Sequence, residues 1–276
     1  MKSHIYRKLT SRKFISRKIS ILVLSTIIGL VAFLPLSPAN ARISINVPNN
    51  GMPGRRTVGA SRNDKPCVPS YPSSLSLMAL IPMSNNSWTT KGDPTLFFYL
   101  PETTAQYLEL TVDESRTKEE QDKISDNHKP LYQQQFKPNS KAGLVGFRLP
   151  PNTLAAGKQY SWSFVAVCTS EDRSTDKGIS GGIMRMSNKD SSSELANVTA
   201  QQRLEKFASI GAWVDTLEEL INMRRANPSD TNLETTWKEI LTTEGVKLDE
   251  RLLSQSILDD KDVPKPIQDQ SLSQKQ

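Results

Sequence analysis

Gly178-Ile179-Ser180-Gly181-Gly182 has the spacing of a nucleophile elbow. There a serine on a strand-to-helix turn is activated by a histidine and faces an oxyanion hole. The following Ile183-Met184-Arg185-Met186 reads as continuing strand, and the one histidine after residue 41, His128, precedes the serine in a charged run. Glycines beside a hairpin are therefore the better reading. Asp172-x-Ser174-x-Asp176 begins like a calcium loop, but Lys177 stands where the loop needs its turning glycine and Ile183 where it needs a bidentate acid. A polar turn is the expectation. Glu171 and Asp172 are adjacent in sequence, which does not place two carboxylates across a glycosidic bond. No H-E-x-x-H, P-loop or G-x-G-x-x-G occurs. No catalytic residue, metal site or cofactor is expected.

The remaining candidates are for ligand contact. Arg55 and Arg56, with Arg62 and Lys65, make a basic stretch that could hold an anionic polysaccharide or phosphate group; the alternative is that these arginines pair with acids elsewhere on the protein. Asp172 and Arg173 are a second candidate pair. Trp88 and Tyr71 could present rings to a sugar, whereas Trp162, Trp213 and Trp237 sit on apolar faces and read as core.

The N-terminus bears on compartment. Lys2, Arg7, Lys8, Arg12, Lys13, Arg17 and Lys18 precede an apolar run from Ile19 to Leu36, and Ala39-Asn40-Ala41 offers small residues before Arg42. This is the pattern of a secretory signal peptide over residues 1–41, with an uncleaved anchor as the rival. The protein is expected to be periplasmic or extracellular. The chain of 276 residues has 35 Lys+Arg and 29 Asp+Glu, but seven of the basic residues lie in that segment, leaving 28 against 29. The basic excess thus argues for no nucleic-acid partner, and for membrane contact only through the signal segment if it is uncleaved. Cys67 and Cys168 make an even pair that suggests one disulfide in an oxidising compartment, with two buried thiols as the alternative.

The elements that would position these residues follow from periodicity. Residues 42–74, rich in Pro, Gly, Ser, Asn and Arg, read as an extended arm without a core pattern. Seven short segments then recur: Leu75–Ile81, Thr95–Leu100, Tyr107–Val112, Leu131–Phe136, Leu144–Leu149, Tyr160–Cys168 and Ile179–Met186. They predict an immunoglobulin-like antiparallel β-sandwich over 75–187. Leu154-x-x-Gly157-x-x-Tyr160 stands where a tyrosine corner would bond backbone. The charged run 113–129 is expected as a solvated hairpin insertion. The period then turns helical over 195–248. One helix ends near Gly211, a second runs from Trp213 to Asn227-Pro228, and a third is capped by Ser229 or Asp230 and ends at Gly245. The stretch IGAWVDTLEELINMRRANPSD resembles a tetratricopeptide-like helical hairpin, with Thr216 where that repeat has a small alanine. Too few repeats are present to stack, so the helices are expected to dock on the sandwich. Residues 255–276 are expected as a disordered polar tail.

Gly51-Met52-Pro53-Gly54-Arg55-Arg56, Cys67, TLFFYLP, Tyr160-Ser161-Trp162, Val167-Cys168, Asp172-Arg173-Ser174, Gly211-x-Trp213-x-Asp215 and Arg224-Arg225-x-Asn227-Pro228 together resemble the cyanobacterial family catalogued as domain of unknown function 928. The similarity runs from about Gly51 to Lys247. It implies an exported cyanobacterial protein and one continuous domain, and assigns no activity, ligand or catalytic residue. The expectation is a non-enzymatic binding or interaction module of the cell envelope, its partner an envelope protein or glycan. The rival is a carbohydrate-active enzyme with two carboxylates in a cleft between sandwich and helices. A third reading is a structural subunit docking through an apolar patch on the helices.

Overall fold

The computed structural model describes residues 43–47, 49–59, 66–115, 129–138, 141–187 and 197–268. The signal segment, His128 and most of the charged run 113–129 lie outside the described residues. Among those residues the protein is mainly β, with nine strands in two sheets and three C-terminal helices. The strands are β1 (Met78–Ala79), β2 (Asn86–Thr89), β3 (Thr95–Leu100), β4 (Tyr107–Glu114), β5 (Tyr132–Lys137), β6 (Gly143–Arg148), β7 (Gln159–Val167), β8 (Lys177–Arg185) and β9 (Lys265–Pro266). One sheet has the order β1-β3-β6 and the other β2-β8-β7-β4-β5-β9. The pairing of β2 with β8 is parallel; the other strand pairs are antiparallel.

Alternation builds the core. On β7, Tyr160, Trp162, Phe164 and Ala166 are buried on one face, as period 2 requires. Phe98 of β3 stacks on Phe164 at 4.5 Å and meets Trp162 edge-on at 5.5 Å, while Phe147 of β6 lies 5.1 Å from Phe164. The two sheets therefore face one another across a shared aromatic layer. Ala155 donates its backbone N–H to the Tyr160 hydroxyl at 2.8 Å, which fixes the turn into β7.

The helices are α1 (Ala200–Ile210), α2 (Trp213–Ala226) and α3 (Thr231–Thr242). Thr199 and Gln202 form a capping box that starts α1, and Gly211 ends it at φ 77°, where a side chain would be strained. Pro228 helps end α2 by disfavouring helical backbone at Asn227. Asp230 caps α3 by accepting from Asn232 and Leu233 N–H. Helix α2 lies on the β-domain: the Trp213 indole donates to Leu80 O at 2.8 Å, and its ring is fully buried.

Three features depart from the sequence reading. The arm 42–74, in its described residues, joins the folded body, since Val58, Cys67 and Val68 are buried and Arg55 exchanges backbone hydrogen bonds with Ser180. Backbone pairing carries it, and that needs no apolar period. Strand β2 is not among the seven segments, yet it forms with Asn86, Ser87 and Thr89 buried; Ser87 donates to Gly182 O at 3.1 Å and Asn86 to Asn50 O at 3.2 Å. Residues 255–268 are not a free tail. Leu258 and Pro264 are buried, Leu144 and Leu258 exchange backbone bonds with this segment, and β9 pairs with β5. Residues 269–276 lie outside the described residues.

Candidate binding groove

Of the charged residues named for ligand contact, Arg62 and Lys65 lie outside the described residues, and Arg55, Arg56, Asp172 and Arg173 fall into two separate places. Arg55 is exposed, its backbone held on β8. Arg56 sends its guanidinium to the carbonyls of Ile81, Val246 and Lys247, so it holds the turn after α3; burial pulls its pKa down. Asp172 caps a single 3-10 turn, accepting from Ser174 N–H at 3.0 Å and from its hydroxyl, and these bonds hold its carboxyl below the usual range. Arg173 pairs with Asp176 and reaches Glu109 at 3.4 Å and the Tyr107 hydroxyl at 3.3 Å. Asp176 also accepts from Cys168 N–H at 3.2 Å. This network braces the loop that carries Cys168.

Cys67 and Cys168 form a disulfide, with Cα atoms 5.4 Å apart and a sequence separation of 101. It ties the N-terminal arm to the end of β7. Of the candidate rings, Trp88 is half-buried beside Gly211, and Tyr71 lies 5.7 Å from the Arg251 guanidinium. Ser180 sits within β8, its backbone paired with Arg55, and no helix follows the strand directly.

The structure has a groove between the β-domain and the helices, where the rival reading put a cleft, lined by residues that the sequence analysis did not name as a site. A cavity of about 380 Å³ opens between β3, β6 and α2. Phe97 and Phe147 line it from the sheet, and Glu218, Asn222 and Arg225, three and four residues apart on one stripe of α2, line the opposite wall. Gly146 lies opposite Phe97 in register, where a Cβ would stand 2.7 Å from the Phe97 ring; the missing side chain makes room for that ring. Residues 260–266 form the third wall. A second cavity of about 860 Å³ adjoins, between the end of α2, the start of α3 and residues 253–260. Arg225 and Asp260 line both.

Most charged side chains around the first cavity are engaged within the protein, while the Asp260 carboxylate makes no ion pair with a described residue. Glu218 accepts from Lys91 Nζ at 2.7 Å and Thr95 Oγ1 at 3.1 Å, engaging both its oxygens. Arg148 pairs with Asp93 at 2.7 Å. Arg225 donates to Leu258 O at 2.8 Å, and Lys265 Nζ to Asp260 O at 2.7 Å. Such an arrangement can receive polar groups by hydrogen bonding against an aromatic wall. The Arg224-Arg225-x-Asn227-Pro228 run, which the sequence analysis used only for the family resemblance, lines the second cavity with all four named residues.

Fold and groove define a two-sheet β protein with a helical layer on one side and a C-terminal segment walling a surface groove. The chain belongs to the family described as Domain of Unknown Function (DUF928), whose model matches residues 57–256. No curated protein matches the chain. Residues 257–266 of the groove wall lie beyond the matched span.

Proposed function

We propose that this chain is an exported, non-enzymatic binding module of a cyanobacterial cell envelope, whose partner seats in the groove between the β-domain and α2. The carrying observation is the groove itself, with its aromatic wall, exposed Asn222, and Glu218 and Arg148 each paired within the protein. Export is supported by the basic, apolar and small-residue order of residues 1–41 and by the disulfide, which suits an oxidising compartment. Among the described residues no helix is long and apolar enough to cross a membrane. The cyanobacterial source rests on the sequence resemblance. The test is calorimetric titration with purified envelope polysaccharides, cell-wall fragments and envelope proteins, against Asn222→Trp, which fills the groove. Binding reduced at least about tenfold by that change supports the reading. Binding unaffected by it removes the groove.

One observation favours a second reading. Glu218 and Asp260 both line the first cavity, where a carbohydrate-active enzyme would place its carboxylates. Release of reducing ends from an envelope glycan, abolished by both Glu218→Gln and Asp260→Asn, would establish it in place of the first. The engagement of both Glu218 oxygens speaks against a proton-donating role.

A further inference from the structure

The second half of the groove carries a half-buried cation without an ion pair to a described residue, Arg224. The Arg224 guanidinium lies 4.5 Å over the Trp237 ring. Its Nη1 and the Trp237 Nε1 are both buried without a hydrogen-bond partner. No carboxylate of a described residue forms an ion pair with it, although Glu234 lies near enough to oppose the lowering of its pKa by burial. A guanidinium held this way is pre-organised for a planar anionic group. Arg225, beside it, is exposed and commits Nη2 to Leu258 O. The rest of the cavity is acidic: Asp230 is occupied as the cap of α3, but Asp260 makes no ion pair with a described residue and Asp259 only a loose one, 3.9 Å from Lys261. One cavity therefore offers two guanidiniums from α2 together with carboxylates from the C-terminal segment, Asp259 and Asp260, and from the start of α3, Asp230 and Glu234. Its volume of about 860 Å³ falls within the range of small-ligand sites, about 300–1,000 Å³.

We infer that this cavity binds the end of a short amphoteric peptide, with a free carboxylate received by Arg224 and Arg225 and a free ammonium by Asp259 and Asp260. A ligand of one charge sign would meet like charges in the lining as well as opposite ones; a ligand with both signs can meet complementary groups for each. The inference rests on the groove being a binding site and deepens that reading. In a cell envelope the amphoteric peptides at hand are the stem peptides of the wall, whose chemistry is shared by ordinary oligopeptides.

The experiment titrates the processed protein, disulfide intact, with a diaminopimelate-containing stem tripeptide and with the all-L peptide Ala-Glu-Lys. Each is also used in C-amidated and N-acetylated form. Saturable binding is expected, weakened about tenfold or more by amidation and by Arg224→Gln, and less by N-acetylation and Asp260→Asn. Preference for the stem peptide assigns the site to wall material; equal binding assigns it to peptide ends in general. Should Arg224→Gln fail to fold for loss of its stack on Trp237, the amidated probes and Asp260→Asn decide alone. Unmodified and doubly blocked peptides binding alike, or neither peptide binding, overturns the inference. An envelope glycan that binds and is displaced by Asn222→Trp, while neither peptide binds, would leave the groove reading standing and this one refuted.

Discussion

Asp215, in the first turn of α2, accepts two hydrogen bonds from Thr90 at the end of β2, from its N–H at 3.0 Å and its hydroxyl at 2.9 Å. The carboxylate is 1% exposed and fastens the helical layer to the larger sheet. Burial lifts its pKa above the ordinary 3.8, opposed by the Thr90 bonds and by nearby Lys91, which favour the anion. A carboxyl raised on folding leaves more protons on the native protein than on the unfolded chain. Its contribution is therefore largest below about pH 4 and declines as pH rises through the window above that value. The stability difference between wild type and Asp215→Asn, followed by urea unfolding across pH 3 to 8, should shrink with rising pH. A difference that grows instead would mean the anion is the favoured buried form. Asp215→Ala, which leaves the Thr90 donors unpaired, should cost about 2–4 kcal/mol at neutral pH.

The disulfide closes a loop of about a hundred residues, for which chain entropy gives about 4–5 kcal/mol. Cys67→Ser and Cys168→Ser should lower the melting temperature by similar amounts, and the double variant by no more than either. Additive losses would show that the two sulfurs act independently.

Leu258 is anchored in a notch that exists because residue 143 is glycine; a Cβ there would stand 2.6 Å from Leu258 Cδ2 and 2.8 Å from Ser256 O. Gly143→Ala should destabilise the protein by about 1–3 kcal/mol through overpacking, and Leu258→Ala by about 2–4 kcal/mol through the cavity it leaves. Both should speed proteolysis within residues 255–268. Cleavage elsewhere first would show that this segment is not the part released.

Gly211 closes α1 at φ 77°, and a Cβ would stand 2.6 Å from Asn46 O, whose residue donates its N–H to Ala208 O at 3.0 Å. Gly211→Ala combines left-handed strain of about 1–2 kcal/mol with displacement of residues 43–47. Faster hydrogen exchange at Asn46, with a melting temperature lowered by several degrees, is the expected outcome.

Much of the architecture was legible in residue order. All seven segments with period 2 overlap strands, and Tyr160, Trp162, Phe164 and Ala166 face inward as their alternation indicates. The helix limits were readable because Gly211, Pro228 and Asp230 act locally on the backbone. Strand β2 was not, since Asn86, Ser87 and Thr89 are buried through hydrogen bonds instead of apolar contact. Leu258 and Pro264 gave no period either; their burial depends on Gly143 and on a backbone pairing with β6 and β5. The arginines picked for ligands were chosen by local charge, which cannot show that Arg56 is occupied by three carbonyls.

The order of residues by itself determined seven of the nine strands and the three helices, because side-chain alternation, helix caps and turn residues act within a few positions of one another. It also supplied the cysteine pair and the family resemblance. Only the tertiary structure decided that Phe97 on β3, Asn222 and Arg225 on α2, and Asp260 in the C-terminal segment surround one groove. Those residues are brought together by the packing of α2 across the β-domain and the return of residues 255–268 along β6 and β5. Such long-range packing depends on the summed fit of surfaces far apart in the chain, which no local spacing encodes.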